Sequence, residues 1–576
     1  MTDPLLALVS PFRTAIVGAF GGEHEHIDPA LRRSDRADYQ ANVALALCKV
    51  VGGRPRDVAA AIVKHLDVSQ MVERIEIAGP GFINLTLDSS FLSRSVSQLA
   101  TDPRLGVAPA AVSETVVIDY SSPNVAKEMH VGNLRSTIIG DALARVLEAV
   151  GHRVIRQNHL GDWGTPFGML IEHLLDLGAA AGAEPSVTDL SAFYREARAK
   201  FDGDPAFADR ARRRVVLLQS GDGTTLAQWR TLVDASKRYF AAIYDALSVK
   251  LTESDIAGES LYNPMLPGIV AELAQKELTS VSDGALCVFP PGFPGRDNEP
   301  LPLIVRKQDG GYGYATTDLA AVRYRIATLG AQRIIYVVGA PQSQHLAMVF
   351  KTAQMAGWLV PPARAEHVAF GSVLGADKKM FKSRSGESVR LIDLLDEAKE
   401  RALAIVTEKN PSLDDATRAA VARAVGIGAV KYADLSNDRI KDYMFDWSRM
   451  LAFDGNTAPY LQYAYARIGS IFRRGEVDAT ELGPITLRAP EERALGLEIL
   501  GFGTVVHEVA VTLQPHRLCT YLYGLSTVFS TFYEACPVLK ASSESERESR
   551  MALSHLTARV LAHGLDVLGI EVPERM

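Results

Sequence analysis

The sequence predicts an α/β protein built around a doubly wound parallel sheet with a helical insertion, a small α+β domain before it and an all-α bundle after it. Two observations carry this prediction. Between residues 114 and 370, strand-like runs alternate with helical periodicity, as in a parallel sheet with crossover helices. From Asp414 onward the periodicity is almost wholly helical. At 576 residues the chain exceeds one ordinary hydrophobic core, so roughly two to four domains are expected.

The first domain is predicted over residues 1–105. Its predicted elements are helices over 39–51 and 58–66 and a strand-like run over 75–87. Gly79-Pro80-Gly81 interrupts that run and indicates a turn between two strands. A linker-like stretch begins at Thr101 and closes this small α+β domain.

The second domain is predicted over residues 106–410 as a Rossmann-like sheet. Its predicted elements are strands over 114–120, 153–158, 333–338 and 367–370, and helices over 131–150 and 343–357. A more polar, mostly helical stretch at about 175–300 breaks the alternation and is predicted to be an insertion. Because ligands of such sheets bind where the strands end, we expect the functional residues just after the strands.

The third domain is predicted over residues 411–576 as a helix bundle. Its predicted helices cover 418–435, 460–474, 494–513 and 549–568, with a loop around 476–492.

The composition favours a cytoplasmic protein. Charged residues make up 22% of the chain, no apolar run approaches the roughly 20 residues of a membrane span, and the N-terminus lacks a basic leader. The four cysteines are widely spaced and the 13 histidines form no ligand motif, so no protein-bound metal is expected. A net charge of −7 argues against a DNA-coating protein, although local basic surfaces stay compatible with RNA binding.

The most informative stretch runs from Ser121 to Asn133, directly after the first strand of the predicted sheet. His130 and Gly132 open the next helix, where bare N–H groups attract phosphate and glycine permits close approach. His130 could donate to a phosphate oxygen that gains charge during a displacement reaction. Taken alone, the tetrapeptide His130–Asn133 more often marks a capped helix start with a satisfied histidine.

Longer motifs carry a family resemblance. The tetrapeptide resembles the HIGH signature of class I aminoacyl-tRNA synthetases, and SSPNVAKEMHVGNLRSTIIGD resembles the corresponding string of arginyl-tRNA synthetases. The resemblance continues through LGDWGTPFG, YATTDLAA, YVVGAPQSQH and KMFKSRSG, so it covers essentially the whole chain. It implies a ligase that activates L-arginine with Mg²⁺-bound ATP and esterifies it to tRNA(Arg), acting as a monomer and without a prosthetic group.

The resemblance assigns the nucleotide site. The loop Lys379–Gly386 is similar to the family's KMSKS loop, whose lysines neutralise charge as pyrophosphate departs. The catalytic residues that it implies are Lys127, His130, Asn133 and Lys382. The ATP-binding residues that it implies are His130, Gly132, Asn133, His345, Lys379, Met380, Lys382 and Ser383.

The resemblance also assigns an arginine pocket. A guanidinium is planar with five donors, so two carboxylates together with neutral acceptors complement it well. The matching positions are Asp119, Ser121, Asn124, Tyr314, Asp318 and Gln342. From the local sequence alone, Asp318 fits a helix N-cap at least as well, because Thr317-Asp318 precedes an apolar helix.

The tRNA contacts are expected at both ends of the chain. The N-terminal domain resembles the family's domain that touches the tRNA elbow, and the C-terminal bundle resembles its anticodon-binding domain. Aromatic and basic side chains suit splayed bases and phosphates. The residues that the resemblance implies are Tyr39, Gln40, Asn42, Asn84, Tyr460 and Arg467.

Two alternatives stay open at this point. A duplicated synthetase could supply arginyl-tRNA to a specialised pathway with the same chemistry. A weakly catalytic tRNA-binding regulatory protein could also keep this fold, because Asn133 stands where the family normally has a histidine. An amide donates hydrogen bonds but cannot carry the positive charge of an imidazolium.

The substitution Asn133→His tests the importance of that amide. We expect the affinity for ATP to stay within about tenfold of the natural chain, which is roughly 1.4 kcal/mol, because the amide already supplies one donor. The measurement is the KM for ATP in arginine-dependent pyrophosphate exchange. A larger change would mean that this helix start binds phosphate in another way.

Overall fold

The protein is described by a computed structural model over residues 3–181, 190–295, 298–375, 377–379, 381, 389–478 and 482–576. The strands are β1 (Leu31–Arg33), β2 (Tyr39–Ala41), β3 (Val72–Ala78), β4 (Phe82–Leu87), β5 (Thr115–Asp119), β6 (Arg153–Gln157), β7 (Ser280–Ser282), β8 (Ala285–Val288), β9 (Leu303–Arg306), β10 (Arg333–Tyr336), β11 (Arg364–His367), β12 (Val373–Leu374) and β13 (Tyr443–Met444). They form four separate sheets.

The helices surround these sheets and make up most of the C-terminal third. They are α1 (Pro4–Phe20), α2 (Val43–Val51), α3 (Pro55–His65), α4 (Ser89–Thr101), α5 (Val131–Ala149), α6 (Pro166–Ala181), α7 (Leu190–Gly203), α8 (Pro205–Ser220), α9 (Gly223–Ala246), α10 (Glu259–Tyr262), α11 (Leu266–Gln275), α12 (Tyr314–Ala327), α13 (Ser343–Met355), α14 (Leu391–Lys409), α15 (Asp415–Leu435), α16 (Trp447–Met450), α17 (Ala458–Gly475), α18 (Pro490–Leu500), α19 (Phe502–Thr512), α20 (His516–Ala535) and α21 (Glu544–Val567). The predicted fold class is confirmed.

The N-terminal part is an antiparallel sheet in the order β1-β2-β4-β3, and helices pack against it. The predicted turn at Gly79-Pro80-Gly81 joins β3 to β4. The prediction that helix starts at Tyr39 is wrong, because residues 39–41 form β2 in register with β4. The Tyr39 and Ala41 side chains share the face that packs into the core, and Gln40 on the other face is bonded to Asn84. The helix begins only at Val43.

The central sheet is parallel, with the order β11-β10-β5-β6. The chain passes from β5 outward to β6 and, after the insertion, from β10 outward to β11. The two directions diverge between β5 and β10, so the topological switch point lies at the carboxyl ends of those two strands. Asp119 and Tyr336 are register partners there. The sheet therefore opens its ligand-binding crevice directly before α5 and α13.

The fourth strand of this sheet differs from the prediction. A strand over residues 367–370 was expected, whereas β11 covers Arg364–His367. β11 pairs only with β10 and is an edge strand, where charged side chains are tolerated. Glu366 uses this position to accept hydrogen bonds from Arg333 on β10, at 2.7 Å from Nε. An apolar run is therefore a poor marker for this strand.

The insertion is not only helical. Helices α7 to α11 agree with the prediction, but β7 and β8 lie near its end and form an antiparallel sheet with β9, which follows the insertion. Asp283 and Gly284 connect β7 to β8 with φ values of 48° and 75°. An Asp-Gly pair with both residues in the left-handed region is typical of a two-residue hairpin. The Asp283-Gly284 dipeptide was the sequence signal that could have predicted this hairpin.

The C-terminal helices include one long apolar stretch. The prediction of a single helix over 494–513 is wrong, because Gly501 separates α18 from α19.

Within the described ranges, Pro490–Thr512 is the one helical stretch whose length and composition would suffice to cross a membrane, with a mean hydropathy of 1.5 in its most apolar window. The expectation of no such run thus needs correction. More than half of that window is buried inside the protein, where α18 packs on α4 and α20, and α19 packs on α5.

Helix α5 joins the central sheet to the helical bundle. Gly140 lies against the Tyr120 side chain, since a Cβ atom at this position would come within 2.3 Å of Tyr120 Cβ and Cγ. Both positions are buried. The close approach sets the depth at which α5 packs on the sheet.

Substitution of Gly140 by alanine should lower the melting temperature. The added methyl group meets buried atoms that have little room to move, and such overpacking costs about 1–3 kcal/mol. Gly268→Ala is the matched control, because no neighbouring heavy atom lies within 4 Å of its added Cβ in α11. The control should melt at the natural temperature or slightly above it, and equal melting of the two variants would contradict this packing.

Candidate active site

The segment that follows β5 holds a strained backbone in place. Ser121, Ser122 and Ala126 adopt left-handed conformations, with φ values of 70°, 48° and 59°. Each of their backbone N–H groups donates to a side chain from another part of the chain. Ser121 N–H donates to Ser136 Oγ at 2.9 Å, Ser122 N–H to Asn158 Oδ1 at 3.0 Å, and Ala126 N–H to Ser236 Oγ at 2.9 Å. Such strain persists only where the surroundings over-determine it, as at ligand sites.

Helix α5 begins with a reciprocal cap. The backbone N–H of His130 donates to Asn133 Oδ1 at 3.0 Å, and the N–H of Gly132 donates to His130 Nδ1 at 3.0 Å. A Cβ atom on Gly132 would come within 2.7 Å of the His130 ring, so glycine is needed for this ring position. The first turn of α5 is therefore a capped helix start, which is the alternative to a phosphate site that the tetrapeptide alone favours. It leaves the function of the ring open.

The cap also fixes the state of His130. Because Nδ1 accepts a hydrogen bond, the proton of the neutral ring lies on Nε2, which can donate to a ligand. Burial and, secondarily, the nearby Lys127 lower the pKa of His130. The ring is thus a neutral donor at an exposed helix N-terminus.

Lys127 is exposed, and its Nζ lies 4.6 Å from the ring centroid of Tyr194 on α7. The insertion thereby contacts a residue that the sequence assigns to catalysis. A cation over an aromatic face is attracted by the ring quadrupole, which restrains the lysine near α5.

Asp318 and His345 come together across the crevice. Asp318 lies on the second turn of α12, and His345 lies on the first turn of α13 after β10. His345 Nε2 is 2.6 Å from Asp318 Oδ2, and this hydrogen bond is the main cause of the raised pKa of His345. The alternative that Asp318 is an N-cap is wrong, because Gly313 occupies that position. Tyr314, one turn before Asp318, is 75% exposed.

Asp119 is largely committed to internal partners. Arg325 Nη2 donates to its Oδ2 at 2.6 Å, and Ser122 Oγ donates to its Oδ1 at 2.8 Å. Arg325 is fully buried and also donates to Gln157 at 2.8 Å. The structure thus places Asp119 at the strand end, as predicted, but with its charge already neutralised by a protein guanidinium.

The remaining predicted arginine ligands differ in access. Asn124 and Gln342 are exposed, and Asn124 forms an isolated β-bridge with Gly161. Ser121 is buried, and its hydroxyl lies 2.8 Å from the Tyr244 hydroxyl and accepts from Thr137 at 2.9 Å. Asn124 and Gln342 are available to a ligand, whereas the Ser121 side chain is held inside.

One acidic residue was missed by the sequence analysis. Burial raises the pKa of Glu259, at the start of α10, to about 8, and repulsion from Asp162 and Asp318 adds to the shift. Asp162 is buried and accepts from Ser260 N and Oγ at 2.8 and 2.6 Å. Because repulsion from neighbouring carboxylates favours the protonated form, a cation placed beside them would favour the charged form of Glu259. The sequence signal for this environment was the motif LGDWG, because its Asp162 accepts the hydrogen bonds of Ser260 at the start of α10.

The loop Lys379–Gly386, called the lysine-rich loop below, is described at Lys379 and Phe381. Within it, the Phe381 N–H donates to Val373 O on β12 at 3.1 Å. After it, Val131 N–H donates to Val389 O at 3.1 Å, and Leu391 N–H donates to Met129 O at 2.9 Å. The chain that follows the loop, at Val389 and Leu391, is therefore bonded directly to the start of α5. Lys379 is exposed, whereas Met380, Lys382 and Ser383 lie outside the described residues.

The predicted elbow contacts form one polar row on the N-terminal sheet. Gln40 Nε2 donates to Asn84 Oδ1 at 2.7 Å, and Arg32 Nη2 donates to Gln40 Oε1 at 3.0 Å. With its amide oriented to satisfy both neighbours, Asn42 donates to Gln40 and accepts from Arg32. Gln40 and Asn84 are both only 6% exposed. Tyr39 lies on the opposite face of the strand and is 1% exposed, so its side chain is a core residue.

The predicted C-terminal contacts lie on α17. The rings of Tyr460 and Tyr523 are 5.7 Å apart, and the Arg467 guanidinium lies 4.3 Å from the Tyr533 ring centroid. Both side chains are half-buried. Tyr463 is 47% exposed and Tyr465 packs against the core, so the two tyrosines face different ways.

Within the described ranges, no group of three or more His, Cys, Asp or Glu side chains is arranged to hold a metal ion. The histidine-capped start of α5, the chain after the lysine-rich loop that is bonded to it, and the Asp318–His345 pair at the switch point agree with the class I aminoacyl-tRNA synthetases. The family model described as "tRNA synthetases class I (R), catalytic domain" matches residues 95–447.

Two further family models match the flanking parts. The "Arginyl tRNA synthetase N terminal domain" matches residues 8–87, and the "DALR anticodon binding domain" matches residues 461–576. The chain belongs to the arginyl-tRNA synthetases. The predicted family and the predicted enzyme class, an arginine–tRNA ligase, are confirmed.

Full-length relatives and solved structures agree. The chain is 58% identical over 578 residues to the arginine–tRNA ligase of Thermobifida fusca, covering 100% of both chains. It is 49% identical over 569 residues to that of Escherichia coli, covering 98% of both. The arginyl-tRNA synthetases of Plasmodium falciparum and Thermus thermophilus superpose with TM-scores of 0.84 and 0.82, at 29% and 27% identity, covering 100% and 99% of this chain and 100% of each structure.

The raised pKa of Glu259 predicts a pH-dependent arginine site. In the free enzyme Glu259 carries a proton below about pH 8, and a bound guanidinium favours the carboxylate. The KM for arginine should therefore fall as pH rises from about 6.5 to 8.5, by up to about tenfold per unit, and then level off.

Glu259→Gln should raise the KM for arginine and abolish this pH dependence, with little change in the KM for ATP. Glu253→Gln is the matched control, because the Glu253 side chain is 81% exposed and pairs with Lys237 at the surface. A Glu259→Gln enzyme that keeps the natural pH profile would contradict this assignment.

Proposed function

We propose that this chain activates L-arginine with ATP and transfers it to tRNA(Arg), with chemistry at the β5–β10 switch point. The observation that carries this assignment is the hydrogen bond between Asp318 and His345 across the crevice that α5 also borders. It links a residue assigned to arginine with a residue assigned to ATP. The two substrates would therefore meet at one edge of the sheet.

ATP enters as its Mg²⁺ complex, and the ion is carried by the phosphates. The phosphates lie against the N-terminus of α5, where Gly132 allows close approach and His130 Nε2 donates to the α-phosphate. Asn133 supports this arrangement from within the cap. Lys127, Lys379 and Lys382 neutralise the charge that develops on departing pyrophosphate, and Met380 and Ser383 complete that loop.

The amino acid lies in the acidic pocket. Its guanidinium pairs with Asp318 and Glu259, and Tyr314 and Gln342 supply neutral hydrogen-bonding groups. Asn124 holds the other end of the substrate. Asp119 and Ser121 act indirectly, because their side chains are bonded to Arg325 and Tyr244 and shape the floor of the pocket.

The reaction has two steps. The arginine carboxylate oxygen attacks the α-phosphorus in line with the leaving pyrophosphate, which gives arginyl-adenylate. A terminal ribose hydroxyl of tRNA then attacks the acyl carbon, and AMP leaves. No protein nucleophile is required, because the enzyme acts by positioning and by charge stabilisation.

The flanking parts bind the RNA. The polar row of Gln40, Asn42 and Asn84 receives the elbow, and the α17 region around Tyr460 and Arg467 receives the anticodon arm. We assign the three domains to residues 1–105, 106–410 and 411–576, in a cytoplasmic monomer. The intact cap and acidic pocket favour catalysis over a purely regulatory role, since Asn133 preserves the helix start.

Pyrophosphate exchange with and without tRNA tests the cycle. We expect arginine-dependent exchange only when tRNA(Arg) is present, as the family resemblance implies, and no exchange with lysine, whose point charge cannot satisfy a forked pocket. tRNA with a periodate-oxidised terminal ribose is the control, because it binds but cannot accept arginine. Full exchange without tRNA would refute the dependence, and tRNA binding without any charging would refute the enzymatic assignment.

A further inference from the structure

A fully buried ion pair joins the start of α5 to the helical bundle. Arg135 lies about one turn after His130, and its Nε donates to Asp434 on α15 at 3.0 and 3.3 Å. The two side chains are 1% and 0% exposed. Arg135 Nη1 donates to Lys441 O at 3.2 Å. The guanidinium thus reaches both α15 and the chain beyond it.

The chain beyond α15, residues 436–445, is the connecting segment. Its Tyr443 ring lies 5.2 Å from the Arg135 guanidinium, and the ring of Phe370 lies 5.7 Å away. The guanidinium is therefore held by one carboxylate, one carbonyl and two rings. Its freedom to move is small.

The connecting segment also holds the base of the lysine-rich loop. β13 pairs in parallel with β12, Phe445 N–H donates to Leu374 O at 2.8 Å, and Ser372 N–H donates to Asp442 Oδ1 at 2.6 Å. Phe381, at the entry to the loop, lies 4.7 Å from the Phe445 ring. One short segment therefore touches the lysine-rich loop on one side and Arg135 of α5 on the other.

A buried ion pair is a poor source of stability. Removing two charges from water costs about as much as their attraction returns, and well-packed apolar replacements are often neutral or stabilising. Arg135 Nη2 is buried and finds no hydrogen-bond partner within the described ranges. The pair is better explained by what it positions than by the stability that it supplies.

We infer that Asp434 is a positioning residue for adenylate formation: through Arg135 it holds the start of α5 and, through the connecting segment, the base of the lysine-rich loop in one fixed arrangement. This inference rests on the proposed function, in which those two motifs bind the two ends of the triphosphate. Among the contacts between the bundle and α5, this buried carboxylate is the one that Arg135 links to the connecting segment as well.

The test replaces the whole pair. Arg135→Met combined with Asp434→Val removes both charges and keeps an apolar fill, so the variant should melt within a few degrees of the natural chain. In tRNA-dependent pyrophosphate exchange we expect kcat to fall by about tenfold or more, with the KM for arginine changed less than about threefold, because the arginine pocket is untouched. Unchanged affinity for tRNA would show that the bundle is intact.

Arg550→Met with Glu492→Gln is the matched control. It removes the charges of another buried pair, at 2.7 Å, inside the bundle and away from α5, while the amide introduced by Glu492→Gln can still cap α18. This control should keep its natural kcat. Asp434→Asn keeps the shape of the Asp434 side chain and removes its charge. If the double variant does not fold, Asp434→Asn serves as the test of the positioning role, and we expect its kcat to fall.

The outcomes distinguish a failure of the positioning role from a failure of the proposed function. A pair-replaced enzyme with natural melting and natural kcat would overturn the positioning role and leave the proposed function standing. A natural chain that charges no arginine would refute the proposed function itself. A loss of kcat that the control variant shares would also overturn the inference, since it would then reflect loss of any buried pair.

Discussion

Helix α5 is buried on nearly every side, and this burial is the constraint on which the rest of the structure depends. A buried helix must find a partner for each of its polar side chains, because an unpaired polar group in the interior costs about 1–3 kcal/mol. Ser136 donates to Val337 O beside β10 and accepts from Ser121 N. Arg135 pairs with Asp434 of the bundle. The polar residues of α5 are thus bonded to the sheet on one side and the bundle on the other.

The same rule holds at the far end of α5. Asp141 is fully buried and accepts from Arg145 at 2.7 Å and from Lys250 N at 2.9 Å. Lys431 of α15 lies near it and donates to Leu247 O and to Gly569 O at 2.7 and 2.5 Å. Burial lowers the pKa of Lys431 to about 8. The insertion, the catalytic sheet and the bundle meet at this cluster, so α5 cannot shift without disturbing all three.

Much of this could be predicted from the sequence. The strand before Asp119, the helix after His130 and the parallel sheet follow from periodicity, because a buried strand and its crossover helix have strong apolar patterns. The motif resemblance gave the family, which the relatives confirm. β11 and β7–β9 could not be found this way, because edge strands and short hairpins carry charged or exposed residues.

The candidate site residues likewise divide into those that a sequence motif reveals and those that only the tertiary structure reveals. His130 and Asp318 are recognisable because they stand in long motifs, yet no pattern reveals that Asp119 is neutralised by Arg325 over a separation of 206 residues. Glu259 was missed for the same reason: its altered pKa arises from burial beside Asp162 and Asp318, which are distant in sequence from each other. A tertiary electrostatic environment has no local sequence signature.

In the proposed function, the pairing of Asp119 with Arg325 helps the site to favour arginine over other cations. If all its acids were free, the pocket would carry a large negative charge and would attract any cation, lysine included. Arg325 cancels one acid, and the proton on Glu259 cancels another until a ligand arrives. In the proposed function the planar guanidinium then pairs with Asp318, which lies beside His345, and its charge favours the carboxylate form of Glu259. Because a guanidinium presents two parallel donors and an ammonium does not, discrimination follows from geometry rather than from net charge.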